Sequence, residues 1–215
     1  MRLFVGIPAR DGRITAATAV SLYREQEIAR EAGMDIVLGI LPGCSVLHCA
    51  RDQLVRLFLD SGADKLVFVD DDVSWEAGSL LKLASHPVDV AGGAYRFKKE
   101  EESYPVQWLH DREELWADPE TGLLEVLTLP GGFLSIARRV FDTISERRPR
   151  IYTNDRGEAL QAFFHAPFGG SEDTAFCLEW RELGGKVWLD PELAIDHHGG
   201  LTAFKGHIGK WLRSR

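Results

Sequence analysis

Three cysteines in 215 residues, Cys44, Cys49 and Cys177, are odd in number and lack CxxC spacing, which excludes a disulfide framework and a structural zinc of the paired-cysteine type. They read as reduced thiols of a cytoplasmic protein. No stretch approaches the ~20 apolar residues of a membrane span. The first apolar run, Leu3 to Ile7, gives way to Pro8 and Arg10 and is too short for a secretory h-region. Internal repeats, low-complexity tracts and linkers are all missing. Positive charge is also scarce, with 25 Lys and Arg against 33 Asp and Glu, for a net charge of -8. That balance argues against a broad nucleic-acid footprint, although Lys205, Lys210, Arg213 and Arg215 make the end of the chain locally basic. What remains is 45% apolar content, enough for one substantial core in a single domain.

The feature that organises the rest is Leu66-Val67-Phe68-Val69-Asp70-Asp71-Asp72-Val73. Four apolar residues followed at once by three carboxylates read as a buried parallel strand whose C-terminal end delivers acids into a crevice, where open α/β sheets bind their ligands. On an extended backbone Asp70 and Asp72 share one side and Asp71 the other. Clustered acids repel one another unless a cation balances them, and hard oxygen ligands suit Mg²⁺ or Mn²⁺. The same triplet also suits a solvated turn that caps the following helix.

Before the triplet, the pattern predicts a strand at Leu3 to Ile7, a helix from Thr15 to Ala32, a strand from Asp35 to Leu41, and a helix through Leu47, Ala50, Leu54, Leu57 and Phe58 that Ser61-Gly62 ends. The order is βαβαβ. After it come a helix from Trp75 to Ser85 and a strand from Val88 to Tyr95. Residues 96–104 hold Lys98, Lys99 and three glutamates without apolar periodicity, a surface loop and lid candidate. Pro105 to Leu109 and Leu123 to Leu129 look like further strands, which makes the sheet mixed. Pro130-Gly131-Gly132-Phe133 is a tight turn before Leu134 to Ala137 and a short helix through Val140 and Phe141. Ile151 to Phe168 is poorly periodic and reads as a loop that lines or covers a site. Ser171-Glu172-Asp173 opens a helix to Leu183, Lys186 to Asp190 is a last strand, and Ile195-Asp196-His197-His198-Gly199-Gly200 precedes the basic tail.

Several side chains are of types that carry chemistry. Asp70 and Asp72 supply candidate metal ligands, with His197 or His198 a third from the far end of the chain. Glu172 and Asp173 stand at a predicted helix start, which favours acids through the helix dipole and is also a place for a general base. Arg51 with Asp52, and Arg10 after the first strand, are candidates for phosphate or base contacts. Trp108 and Trp188 suit stacking on a sugar or a base, but their strand-like runs suit core packing as well.

Four segments together resemble one family. They are Phe68-Val69-Asp70-Asp71-Asp72-Val73; Gly131-Gly132-Phe133-Leu134; Ser171-Glu172-Asp173-Thr174-Ala175-Phe176-Cys177 with Gly184 to Pro191; and His197-His198-Gly199. In this order they are similar to a GT-A fold glycosyltransferase of the family 2 type, particularly its small bacterial and phage members. The resemblance implies an α/β GT-A (Rossmann-like) fold, a mixed, mostly parallel sheet flanked by helices. It places a donor-binding half in residues 1–95, an acceptor and catalytic half in 96–200 and a basic tail in 201–215. By analogy Asp70 and Asp72 fall on the metal and ribose positions of an Asp-x-Asp motif, with Asp71 between them, and His197 on the later metal-binding histidine. Asp173 falls on the catalytic base, with Glu172 beside it. Pro8, Ala9 and Arg10 fall where the nucleotide base is read, Arg51 where a basic side chain helps, and Gly132 in the glycine turn near the donor. Asp52 stands where related sequences commonly have an amide.

The expected activity is a transfer, with inversion, of a sugar from a nucleotide diphosphate donor to a hydroxyl acceptor, dependent on Mn²⁺ or Mg²⁺. A UDP-sugar is the favoured donor and a glycan the favoured acceptor, ahead of modified DNA. Two rivals share the same features: a nucleotidyltransferase acting on a sugar phosphate, for which Pro8-Ala9-Arg10-Asp11-Gly12-Arg13 is a poor phosphate loop, and a non-catalytic nucleotide-sugar or glycan-binding module.

Overall fold

The computed structural model describes residues 1–109, 115–166 and 170–214. Seven strands form the central sheet: β1 (Arg2–Ala9), β2 (Asp35–Pro42), β3 (Lys65–Val69), β5 (Val90–Gly92), β6 (Leu124–Val126), β7 (Phe133–Ala137) and β10 (Val187–Leu189). Their order is β2-β1-β3-β7-β5-β10-β6. Pairings β1/β2, β1/β3 and β5/β10 are parallel, while β7 and β6 run against their neighbours. The sheet is therefore mixed and mostly parallel, as the sequence predicts.

Helices cover both faces, which is why β1 and β3 read as continuous apolar runs instead of alternating ones. Phe4, Leu66 and Phe68 pack with Leu54, Val55 and Phe58 of α2 (Leu47–Ser61), with Val140, Phe141 and Ile144 of α4 (Arg138–Arg147), and with Phe176 and Trp180 of α5 (Glu172–Glu182). Leu3, Val5, Ile7, Val67 and Val69 face the other way, onto Leu22 and Ala29 of α1 (Ala16–Glu31) and Leu80, Leu83 and Ala84 of α3 (Ser79–Ser85).

The chain departs from the sequence expectation in several places, among them the strand expected over Leu123 to Leu129, which shrinks to Leu124–Val126. Trp75 is not helical: β4 (Val73–Trp75) continues extended from the aspartate turn, pairs with β11 (Ile195–Gly199), and leaves only Ser79–Ser85 for the helix. The cause is α1, whose Thr18 hydroxyl donates to the Val73 carbonyl at 2.7 Å and whose Ser21 hydroxyl donates to the Trp75 carbonyl at 3.1 Å. These bonds satisfy the extended backbone and leave no reason for it to coil. The strand expected over Val88 to Tyr95 shrinks to Val90–Gly92. Within Pro105 to Leu109 only an isolated bridge from Gln107 to Thr128 forms. Ile151 to Phe168, read as a loop, contains the hairpin β8 (Ile151–Thr153) with β9 (Ala159–Gln161); its far end lies outside the described residues. The expected tail carries β12 (Thr202–Phe204), which pairs with β11, and α6 (Ile208–Arg213), which buries Ile208 and Trp211. Among the described residues no helix is long and apolar enough to cross a membrane.

Phe58 is fully buried between the rings of Phe4 and Phe141, with the Arg138 guanidinium 4.7 Å above its own ring. A Phe58→Ala variant should lose about 3–5 kcal/mol of unfolding free energy, read from urea denaturation with an unchanged m-value.

Candidate active site

Because β1, β2 and β3 run parallel, their C-terminal ends share one edge of the sheet. β7 starts at that edge, since Val69 pairs with Phe133. Gly131 and Gly132, just before β7, therefore lie against the aspartate turn, and Asp70 N–H donates to the Gly132 carbonyl at 2.9 Å. The triplet does not stay extended. It turns between β3 and β4, held by Thr15 N–H on the Asp71 carbonyl at 2.8 Å and by the Thr18 hydroxyl. The simple alternation of Asp70 and Asp72 against Asp71 is accordingly lost.

Arg51 lies at the centre of this edge. It is 1% exposed and reaches three segments: Nη1 donates to the Gly131 carbonyl at 2.8 Å, Nη2 to Asp70 Oδ1 at 3.2 Å and Nε to Glu172 Oε1 at 3.2 Å. Burial opposes its charge, but Asp70 and Glu172 outweigh that and hold it protonated. Phe68 lies beneath the guanidinium, 4.9 Å from ring centre to Cζ. The two glycines follow from this packing. A Cβ on Gly131 would stand 2.8 Å from the guanidinium atoms, and one on Gly132 would overlap the Asp70 carboxylate and the Tyr95 hydroxyl.

Both oxygens of Asp70 thus have a partner, with Arg51 on Oδ1 and the Tyr95 hydroxyl donating to Oδ2 at 2.8 Å, and each keeps a further lone pair. Burial and the neighbouring Asp70 push the Tyr95 phenol well above its ordinary range, so it remains a donor. Among the described residues no group of three His, Cys, Asp or Glu side chains is arranged to hold a metal ion, so Asp70, Asp72 and His197 are not drawn together as a trio. A pair does form. His197 Nδ1 lies 2.9 Å from the Arg96 carbonyl, which can only accept, so that nitrogen carries the proton. Nε2 faces Asp72 Oδ1 at 3.4 Å. Strand pairing explains the meeting, because His197 is opposite Val73 in the β4–β11 register. An imidazole oriented from behind by a carbonyl, beside a carboxylate, is a donor set that fits a divalent ion with its remaining positions open to phosphate or water. His198 is excluded from this pair, with Nε2 on the Ser74 hydroxyl at 2.8 Å.

Burial pushes Asp72 up, but His197 and Lys98 outweigh it and hold the carboxyl below its ordinary value. Asp71 has the opposite fate. Burial, then Asp72 and Asp70, raise it to about 6.

Glu172 and Asp173, adjacent in sequence, separate in space. Glu172 turns inward to Arg51 and is 9% exposed. Asp173 is half-buried. Oδ1 accepts from the Ser171 hydroxyl and from Thr174 N–H, and Oδ2 accepts from Gly131 N–H at 2.9 Å. Oδ1 is filled, while Oδ2 keeps one lone pair for a further donor. Pro8 and Ala9 are buried in β1, paired with Leu41 and Pro42, and Arg10 follows at the exposed end of the strand. Trp188 is on β10 and Trp108 packs at the edge of the core, away from this group.

Sequence reasoning missed Tyr95, Thr18 and Lys98, whose ammonium is ion-paired with Asp72. Thr18 had a signal: a threonine on the face of α1 that carries Ala29 and Leu22 is a polar group directed into a core. A cavity of about 930 Å³ lies elsewhere, between α1, β4 and α6, lined by residues such as Arg24, Trp75, Asp196 and Lys210. It does not include the acids described here.

No family model matches the chain, and no curated protein matches it by sequence. Among solved structures it is similar to GalNAc-T7 crystallised with UDP, GalNAc and Mn²⁺, with a TM-score of 0.49 and 13% identity over 92% of this chain and 44% of that one. The chain thus spans less than half the length of that structure. It is also similar to a glycosyltransferase involved in the glycosylation of the major capsid of PBCV-1, with a TM-score of 0.33 and 10% identity over 69% of this chain and 68% of that one.

Asp52, next to Arg51, faces inward and is 1% exposed. Its Oδ1 accepts from the N–H groups of Phe163 and Phe164 at 2.9 and 3.0 Å, which ties α2 to the segment after β9. Burial raises its carboxyl to about 7 despite those bonds. A protonated acid offers one acceptor and one donor oxygen, close to an amide. A folded-state pKa above the unfolded value of about 3.9 means that stability is full below pH ~4 and is lost as pH rises through about 7. Asp52→Asn should therefore gain stability over wild type between pH 5 and 8 and not at pH 4, in denaturant titrations at each pH. Asp71, raised in the same way, will leave some of the slope in place.

Proposed function

We propose that the chain is a glycosyltransferase of the GT-A type, which moves a sugar from a nucleotide diphosphate donor to a hydroxyl acceptor with inversion. The observation that carries this reading is the convergence at one sheet edge of Asp72 with His197 Nε2, the buried Arg51, and Asp173 with one open lone pair. These come from four segments far apart in sequence, at the crevice where open α/β sheets take ligands. Structural neighbours that act on sugars are consistent with it.

Asp72 and His197 would hold a divalent ion, which when bound there offsets the charge developing on a leaving diphosphate. Asp70 takes another part. Fixed by Arg51 and Tyr95, it forms a rigid anionic wall whose remaining lone pairs suit the hydroxyls of a ribose. Pro8, Ala9 and Arg10 end β1 on the side where a base would stack, with Arg10 the exposed one of the three. Asp173 accepts the acceptor's proton on Oδ2. Three fixed donors prevent the carboxylate from rotating, so the open lone pair has one direction, as an in-line displacement needs. The acceptor oxygen bonds to the anomeric carbon as the bond from that carbon to the diphosphate oxygen breaks. Arg51 and Glu172 touch neither reactant in this scheme and act as positioning residues. The first donor to test is a UDP-sugar, with glycan acceptors ahead of modified DNA.

Incubation of donor with an acceptor panel, followed by identification of the released phosphate product, tests the reaction class. A nucleoside diphosphate is expected, while pyrophosphate would mean nucleotidyl transfer and overturn the proposal. Asp173→Asn should stay folded and lose transfer by on the order of 100-fold or more. A folded variant with full activity would remove Asp173 as the base.

A further inference from the structure

Residues 96–104, expected as a surface loop, deliver a cation into the site. The Lys98 ammonium is ion-paired with Asp72 Oδ2, on the carboxylate whose other oxygen faces His197. The placement is supported from three sides. The Lys98 stem lies against Gly199, where a Cβ would stand 3.3 Å from its Cδ. Arg96 Nη2 donates to the carbonyls of Lys99 and Glu100 at 2.7 Å each, and Phe97 N–H donates to the Ser103 carbonyl at 2.9 Å, so the segment is tied to itself. The carbonyl of Arg96 takes the Nδ1 proton of His197, so the residue that orients the imidazole is two positions from the one that neutralises Asp72.

One carboxylate now serves two roles that exclude each other. An ion bound by Asp72 and His197 places two positive charges within a few ångströms of the Lys98 ammonium, which repels it from the carboxylate. Lys98 remains tethered by its own loop at the mouth of the crevice, where a diphosphate presents the nearest anionic oxygens. We propose that Lys98 is a resident counter-cation: a divalent ion displaces it from Asp72, and the freed ammonium then binds the phosphate oxygens of the donor. Ion before donor is the order this imposes. The inference rests on the proposed donor site and adds to it a residue that controls access of the ion.

The test uses Mn²⁺ alone, titrated calorimetrically into wild type, Lys98→Ala and His197→Ala, and then inorganic pyrophosphate titrated into the Mn²⁺-loaded proteins. Removing a competing, partly exposed ion pair should tighten Mn²⁺ binding to Lys98→Ala by about three- to fivefold. His197→Ala should bind it more weakly than wild type. Pyrophosphate should bind Mn²⁺-loaded Lys98→Ala several-fold more weakly than loaded wild type. Equal Mn²⁺ affinity in wild type and Lys98→Ala overturns the displacement and leaves the ion site standing. Equal pyrophosphate affinity, or none for either, overturns the phosphate role of Lys98. If neither wild type nor Lys98→Ala takes up Mn²⁺, both the displacement and the proposed ion site are wrong.

Discussion

The structure depends on keeping one guanidinium charged inside the core. Arg51 is nearly without solvent contact, and a lone buried cation would cost far more than a domain can spare. Three segments close on it as a consequence: Asp70 from the end of β3, Gly131 from the turn before β7, and Glu172 from the first turn of α5. Removing one partner from such a group typically costs ~3–5 kcal/mol, because the remaining charge is stranded. The same three contacts draw together the edge at which the proposed chemistry takes place. Asp70 is fixed so that its neighbour Asp72 can face His197, and Glu172 is fixed so that its neighbour Asp173 can face the crevice. Stability and site geometry therefore share one interaction.

Adjacent carboxylates diverge for this reason. In each pair or triplet one member serves Arg51 and another is the one that the proposal assigns to a ligand. Asp70 and Glu172 turn inward, while Asp72 and Asp173 turn toward the crevice. The two glycines belong to the same arrangement. Read from the sequence they suit a tight turn, but both are required by the close approach of Arg51, Asp70 and Tyr95.

Much of the fold was legible because burial leaves a pattern. Strands β1 and β3 are covered on both faces and show as unbroken apolar runs, and α1, α2 and α5 begin and end within a residue or a few of where periodicity, Gly62 and Gly184 place them. Short elements set by pairing were not legible. β4 exists because α1 holds its carbonyls and β11 pairs with it, and neither partner is near it in sequence. The site divided in the same way. Residue types and their order pointed to Asp70, Asp72, Asp173, Arg51 and His197, but the duty of each depends on distances across 121 residues of chain, as between Arg51 and Glu172. Local reading therefore did not show that Asp70 and Glu172 both meet the buried arginine, and it left out Tyr95 and Lys98.

The central claim is that this edge binds a nucleotide diphosphate through Asp72 and a divalent ion. The most direct measurement is calorimetric titration of UDP, GDP, CDP and dTDP into wild type and Asp72→Ala, each with and without Mn²⁺. The account predicts that one diphosphate binds, only when Mn²⁺ is present, and that Asp72→Ala loses this binding while remaining folded. Failure of every nucleotide to bind the folded wild-type protein would contradict it, and would leave the aspartate triplet as a turn built around Arg51.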